Sequence, residues 1–159
     1  CLFSESFQYI PAKIALEKAT TLLKKNGLIL IADCFRSEIK NNSYNRRPGG
    51  GHPLSDMRRL LKELNLKITS EKEITKSVAP SLDIEQEFYN MIGFSLERIQ
   101  QGLLSSHPIK MKLLRFLYRI FVNNKKQKRL HDRLYSNIRS SENFIKFNHY
   151  MIFQLAPDK

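Results

Sequence analysis

Polar and charged residues follow two short apolar runs, at points in the chain where chemistry could occur. Ser4, Glu5 and Ser6 come directly after the apolar start of the chain, and residues 33–36 (Asp-Cys-Phe-Arg) come directly after the apolar run 28–32. Two such runs, if they are parallel strands, place these residues at the same carboxyl edge of a sheet. Open α/β sheets bind their ligands at that edge. The sequence therefore predicts a ligand site formed by these two segments.

The pattern between the two runs predicts the elements that position this site. Pro11 opens a helically spaced apolar pattern, in a position where its missing N–H costs nothing. The pattern stops at Asn26-Gly27, where Gly27 suits a left-handed helix cap. The uninterrupted apolar run 28–32 is typical of a strand buried on both faces of a parallel sheet. Strand, helix and strand together predict a right-handed crossover unit.

The middle of the chain predicts a second helix and strand after a long loop. Residues 33–53 are polar and glycine-rich, which indicates a mobile loop with Gly49–Gly51 as a flexible hinge. Ser55 and Asp56 are predicted to cap a helix, and residues 65–69 then alternate into a strand. The aromatic and β-branched run 147–155 predicts a final strand.

The segment between these last two strands carries most of the positive charge. Of the net charge of +12, residues 107–139 supply +9, because ten Lys and Arg face one acid, Asp132. Helical spacing over 80–104 and 113–122 predicts two or three inserted helices. An apolar stripe accompanies this charge: Met111, Leu114, Leu117, Tyr118 and Phe121. Such a helix is typical of a lid, a membrane-surface helix, a nucleic-acid face or an ordinary amphipathic helix with solvated charges.

Several classes of protein do not fit the sequence. Cys1, Cys34 and the four histidines lack the spacing of a metal site or of a nucleophilic triad, so no metal is predicted. No run approaches the roughly 20 apolar residues of a membrane span, and no secretion signal is visible. We therefore expect a cytoplasmic protein. Because an apolar run begins at Cys1 without a cap or turn, we expect the chain to be cut from a longer domain.

A resemblance to a known family rests on residues 4–36, SESFQYIPAKIALEKATTLLKKNGLILIADCFR. This run resembles the end of strand four, the following helix and strand five of class I S-adenosylmethionine-dependent methyltransferases. Their helix often ends in an L-K-x-G-G turn, where this chain has Leu23-Lys24-Lys25-Asn26-Gly27, with Asn26 replacing the first glycine. Beyond Arg47 the resemblance is carried by the order of elements alone: helix, strand, helical insertion and last strand.

The resemblance implies an α/β fold, namely the C-terminal half of a Rossmann-like methyltransferase sheet with a helical insertion before the last strand. Residues 1–159 would form the C-terminal part of one domain, with 80–140 as a helical lid. The family's glycine-rich loop and the acidic residue of its second strand would lie before Cys1, in an absent N-terminal half of the same domain. Gly49–Gly51 does not replace that loop, because it follows a polar loop instead of a buried strand.

The resemblance also implies site residues. Glu5 would bind a cationic group or orient a substrate hydroxyl, and Glu5 and His52 are the candidate catalytic bases. Other interpretations stay open: Glu5 caps a turn, Phe7 and Tyr9 pack in the core, and Arg36 pairs with Glu5 or Glu38. The cofactor would be S-adenosylmethionine, bound by Ser4, Glu5 and Ser6. The predicted substrate-binding residues are Phe7, Tyr9, Phe35, Arg36 and Tyr118.

The function implied is methyl transfer to a small, hydrophobic acceptor, either a small molecule or a lipid, and the fragment alone should be inactive. An alternative is a non-enzymatic basic module that binds lipid headgroups or RNA. The basic residues lack aromatic stacking platforms on a neighbouring sheet, which argues against nucleic acid and favours a membrane surface as partner.

Overall fold

The computed structural model describes residues 1–39 and 48–158, in which four strands form one mixed sheet. The strands are β1 (Leu2–Ser4), β2 (Ile29–Arg36), β3 (Leu66–Glu73) and β4 (Asn148–Pro157), in the spatial order β1-β2-β4-β3. β1 and β2 are parallel, whereas β4 runs antiparallel to both β2 and β3. The α/β fold class predicted from the sequence is confirmed.

The predicted strand–helix–strand order with parallel strands is confirmed, but the helix ends earlier than predicted. Helix α1 (Ala12–Leu22) connects β1 to β2, with Pro11 at its N-cap. The left-handed residue is Asn26, with φ of 63°, and not Gly27 as predicted. Asparagine tolerates this conformation because its short side chain can bond to nearby backbone. Gly27 is needed for space instead, since a Cβ there would lie 2.9 Å from the Lys24 carbonyl oxygen.

Strand β2 is longer than predicted and is not buried on both faces throughout. Its apolar residues alternate at the start: Ile29 and Ile31 are fully buried, whereas Leu30 is 39% exposed. Farther along, Asp33, Cys34 and Phe35 are all buried. The strand is therefore enclosed mainly at its carboxyl end, where other elements pack over both faces.

Helix α2 (Leu54–Glu63) follows the predicted loop and leads into β3. The predicted caps were wrong, because Pro53 is the N-cap and Ser55 and Asp56 lie inside the first turn. The backbone N–H of Ser55 instead donates to the Glu38 carboxylate at 3.2 Å, so a distant side chain satisfies the helix start. Residues 40–47 of the loop predicted to be mobile lie outside the described residues.

Five helices lie between β3 and β4 in the described chain, more than the two or three predicted. They are α3 (Thr75–Val78), α4 (Pro80–Ser106), α5 (Pro108–Phe121), α6 (Asn124–Tyr135) and α7 (Ser141–Phe147). The predicted stretches 80–104 and 113–122 correspond to α4 and α5, whereas α3, α6 and α7 were not predicted individually.

The main hydrophobic core lies between the sheet and the helices α1 and α2. A row of aromatic rings runs through it, with Phe7 6.2 Å from Phe35 and Phe35 5.5 Å from Phe153 between ring centroids. A second, smaller core contains Cys34, Ala79, Leu82 and Phe144 and joins the sheet to the inserted helices. The carboxyl end of β2 therefore lies between two cores.

Candidate active site at the carboxyl edge of the sheet

Glu5 and Tyr150 meet at the carboxyl edge of the sheet. Glu5 follows β1 in a left-handed conformation, with φ of 49°, and its backbone N–H donates to the Ala32 carbonyl at 2.9 Å. The hydroxyl of Tyr150, on β4, donates to Glu5 Oε1 at 2.9 Å. Burial and the hydrogen bond to Glu5 raise the pKa of Tyr150, so this phenol stays protonated and acts as a donor. The two residues are 145 positions apart in the sequence.

A layer of buried polar groups lies beneath this pair. The Asp33 carboxylate accepts from the backbone N–H groups of Cys34 at 2.7 Å and Gln8 at 3.2 Å. The Asn148 amide donates to Cys34 Sγ at 3.4 Å, while its Oδ1 is buried without a hydrogen-bond partner among the described residues. Burial, followed by the charge of Asp33, raises the pKa of Cys34 to about 12. Cys34 is therefore held as the neutral thiol, which is a poor nucleophile.

The Gly49–Gly51 segment packs directly against this layer. A Cβ at Gly49 would lie 2.8 Å from the Asn148 amide nitrogen, and one at Gly51 would overlap the Cys34 carbonyl oxygen. Gly51 also has φ of 96°, which disfavours any residue with a side chain. The structure thus gives these glycines a close backbone approach to β2, which differs from the flexible hinge that the sequence suggested.

An open cavity of about 320 Å³ adjoins Glu5 and Tyr150. Its polar lining includes Glu5, Gln8 and Glu85, and its apolar lining includes Val78, Leu82 and Phe144. Within the part of the chain that is described, Arg139 is the only Lys or Arg that lines it. The Glu85 carboxylate already binds this guanidinium at 2.6 Å. The cavity therefore combines an apolar wall with a carboxylate.

A second cavity of about 470 Å³ shares Pro48, Gly49, Gly50 and Arg139 with the first. Helix α6 supplies much of its wall through Arg129, Leu130, Asp132 and Arg133. Arg133 lies 3.6 Å from Glu85 and its guanidinium lies 4.3 Å from the Tyr89 ring centre. Glu85 thus ties α4 to the two arginines and fixes the wall between the cavities.

The structure separates the predicted site residues into groups. Glu5 and Tyr9 line the first cavity, and Ser4 and Ser6 flank Glu5 in the chain. Phe7 and Phe35 have no exposed surface and pack in the main core, which differs from the prediction that they contact substrate. Both side chains are buried because their rings fill the space between α1, α2 and the sheet.

Three predicted residues lie away from that cavity. His52 Nε2 lies 2.9 Å from the Ile10 carbonyl oxygen and 3.2 Å from that of Phe7, so the ring ties two segments together. Arg36 is exposed at the end of β2, where its backbone N–H donates to the His52 carbonyl. Tyr118 lies on α5 and lines neither cavity. His52 therefore has a structural contact that the sequence did not indicate.

Sequence reasoning missed Tyr150, Glu85, Arg139 and Asn148. Tyr150 was placed in a final strand by its aromatic character alone, with no signal for the face it occupies. Glu85 and Arg139 looked like ordinary solvated charges of the insertion. The one available signal was Asn148, a polar residue in a run of strand-forming residues, since a buried amide requires nearby partners.

The described residues form neither a cluster of metal ligands nor a membrane-spanning helix. Within residues 1–39 and 48–158, no group of three or more His, Cys, Asp or Glu side chains could hold a metal ion. None of the helices described is long and apolar enough to cross a membrane.

Comparisons with known proteins give structural matches only. No protein-family model matches the sequence, and a search of curated proteins gives no match. A crystal structure described as a sarcosine dimethylglycine methyltransferase from Galdieria sulphuraria matches with a TM-score of 0.49 and 15% identity, over 97% of this chain and 51% of that chain. The cyclase SpnF matches with a TM-score of 0.40 and 10% identity, over 98% and 47%. The chain spans about half the length of each.

Proposed function

We propose that this chain forms the acceptor side, and part of the cofactor side, of an S-adenosylmethionine-dependent methyltransferase that acts on a small hydrophobic acceptor. The observation that carries the proposal is the meeting of Glu5 and Tyr150 at the carboxyl edge of two parallel strands, beside a cavity walled by the inserted helices. The resemblance of residues 4–36 to the methyltransferase family supports the same assignment.

The residues present fit the cationic part of S-adenosylmethionine. Glu5 presents an exposed carboxylate, and the one arginine that lines the cavity among the described residues is held by Glu85. When bound, the cofactor would supply an activated methyl group on a positively charged sulfur. Glu5 would face that charge, and we expect Ser4 and Ser6, its neighbours in the chain, to add contacts to the cofactor.

The acceptor would lie against the apolar wall of the cavity, formed by Val78, Leu82 and Phe144. The protein then has to align the acceptor and exclude water, which needs few catalytic groups. Because Tyr150 stays protonated, it would orient the acceptor or Glu5 by donating a hydrogen bond. For a hydroxyl acceptor, Glu5 would accept the proton, since it lies in the cavity and His52 does not.

Further cofactor contacts would come from strands added beside β1, from a preceding half of the same domain. Among the described residues β1 pairs only with β2, and Leu2 at this edge is 67% exposed. An open edge of this kind readily takes another strand. We accordingly expect the 159-residue chain by itself to bind S-adenosylmethionine weakly.

Weak binding calls for an experiment that locates it. The ¹⁵N-labelled chain would be titrated with S-adenosylhomocysteine and then with S-adenosylmethionine, following backbone amide resonances. We expect shifts confined to residues 4–9 and 49–50, and an additional effect of the sulfonium that Glu5→Gln removes. Glu63→Gln, an exposed carboxylate on α2, is the matched control. Shifts scattered over the surface, or unchanged by Glu5→Gln, would overturn the proposal.

A further inference from the structure

Helix α5 presents an exposed apolar stripe to solvent, which is distinct from the row that the sequence marked from Met111 to Phe121. Ile109, Leu113, Phe116 and Ile120 recur at intervals of four, three and four residues, which places them on one face. They are 82%, 59%, 60% and 59% exposed, respectively. Met111, on another face of the helix, is only 8% exposed. The helix therefore packs on one side and leaves a separate apolar face uncovered by the described residues.

The same helix carries strong positive charge. Residues 108–121 contain four Lys and Arg and no acid, and Lys110 and Lys112 are exposed. Helix α6 follows after a short turn and adds Lys125, Lys126 and Arg129, which are also exposed. An exposed apolar stripe bordered by cations is typical of a helix that lies in the plane of a membrane surface.

The positive charge of this region favours one of the partners that could cover its apolar face. A second copy of the chain would bring another net +12, and its α5 would repel this one. RNA would match the charge but would leave the apolar stripe in water. An anionic lipid bilayer satisfies both features, because headgroups attract the cations and the acyl region takes the apolar side chains.

We propose that α5, supported by the basic start of α6, docks this protein on an anionic membrane surface. The helix has 14 residues and a length of roughly 21 Å at 1.5 Å per residue, so it would lie along the interface. Such docking would hold the cavities of the insertion close to lipid-soluble molecules. The inference stands on α5 alone and does not require the proposed methyl transfer.

Vesicle sedimentation tests the proposal with the complete chain. Binding to phosphatidylcholine vesicles would be compared with binding to vesicles in which a third of the lipid is phosphatidylglycerol. We expect tight binding only to the anionic vesicles. Phe116→Ser/Ile120→Ser should weaken it by about tenfold or more through lost apolar burial. Lys110→Gln/Lys112→Gln should weaken it by roughly tenfold or more at low salt, at about 1 kcal/mol per cation.

Helix α1 and the turn that follows it offer matched controls. Ile14→Ser/Leu22→Ser removes two apolar side chains that are 60% and 64% exposed, and Lys18→Gln/Lys25→Gln removes two exposed cations. Both pairs should leave vesicle binding within about twofold, because the overall charge and composition change as in the α5 variants while α5 stays intact. Equal losses in the α1 and α5 variants would overturn the proposal, since they would indicate non-specific attraction.

Fluorescence separates insertion from simple electrostatic attraction. The chain contains no tryptophan, so Phe116→Trp and Leu22→Trp each report one position. We expect a blue shift on anionic vesicles for Phe116→Trp alone. Binding that salt abolishes without any blue shift would contradict docking through the apolar stripe. Tighter binding to RNA than to vesicles, or a dimer that α5 mutations dissociate, would assign the face to those partners instead.

Discussion

The carboxyl edge of the sheet and helix α5 use similar residues in opposite ways. At the edge, Phe35 is fully buried in the main core, and even polar groups such as Asp33 and Asn148 are enclosed. On α5, Phe121 is 81% exposed in a helix with no acidic residue. Because burial fixes side chains and exposure leaves them available, the edge is suited to aligning small groups. The helix is suited to meeting a surface.

The two regions should differ most in the stability lost when one large aromatic side chain is removed from each. Phe35→Ala should lower the free energy of unfolding by about 3–5 kcal/mol, because it leaves a cavity in a packed core. Phe121→Ala should change it by no more than about 0.5 kcal/mol, since the ring is already solvated. Urea denaturation of both variants measures the two values. Comparable losses would contradict the comparison.

Thiol reactivity should differ by about a thousandfold between the regions. Raising the pKa of Cys34 from 9.0 to about 12 lowers its thiolate fraction near pH 8 by that order. The rate would be measured with a thiol-specific disulfide reagent on the Cys1→Ser chain, whose remaining thiol is Cys34. The reference is the Cys1→Ser/Cys34→Ala/Leu113→Cys chain, which carries a thiol on the exposed stripe of α5. Fast native-state labelling of Cys34 would show that the edge opens readily.

A methyl group added to a glycine should also distinguish the regions. Gly51→Ala should cost about 2–4 kcal/mol, because the Cβ overlaps the Cys34 carbonyl and φ is 96°. Among the residues that the structure describes, a Cβ added at Gly102, in α4, would meet no atom within 4 Å beyond its chain neighbours and its own helix backbone. Gly102→Ala should therefore stabilise by roughly 0.5–1 kcal/mol through helix propensity. Thermal unfolding of both variants measures the loss of stability at Gly51 and the gain at Gly102. A tolerated Gly51→Ala would restore the hinge interpretation.

The smallest expected effect is the pH dependence of the stability that Glu73 contributes where β3 meets the inserted helices. The Thr75 hydroxyl at 2.6 Å, and then His149 at 2.9 Å, lower the pKa of Glu73. A lowered folded-state pKa contributes stability above the unfolded value of about 4.3, and that contribution is lost as pH falls through the folded value. Glu73→Gln should therefore destabilise by less than about 1 kcal/mol at neutral pH and by less still in acid.

The matched control for this pH dependence is Glu142→Gln, an exposed glutamate on α7. Its urea midpoint, followed from neutral pH into the acid range, should stay closer to that of the unmodified chain. A Glu73→Gln difference that grew towards acid pH would have the wrong sign for a carboxylate stabilised in the folded state.

Local sequence patterns were enough to predict the elements around the edge of the sheet. Pro11 and the helical spacing after it predicted α1, and the apolar run 28–32 predicted the start of β2. Their parallel pairing and the place of Glu5 at the carboxyl edge followed from the helix between the two strands, because such a connection returns the chain to the edge where the first strand began. These features are encoded locally, because hydrophobic period and backbone preference act within one or two turns of chain.

Which side chains meet at that edge depends on long-range packing. The pairing of Tyr150 with Glu5 depends on the register that sets Cys34 opposite Tyr150 across β2 and β4. A shift of one residue would turn Tyr150 to the other face, and no spacing in the sequence fixes that register. Packing likewise enclosed Phe7 and left the stripe of α5 exposed, because an apolar pattern marks a face without stating what covers it.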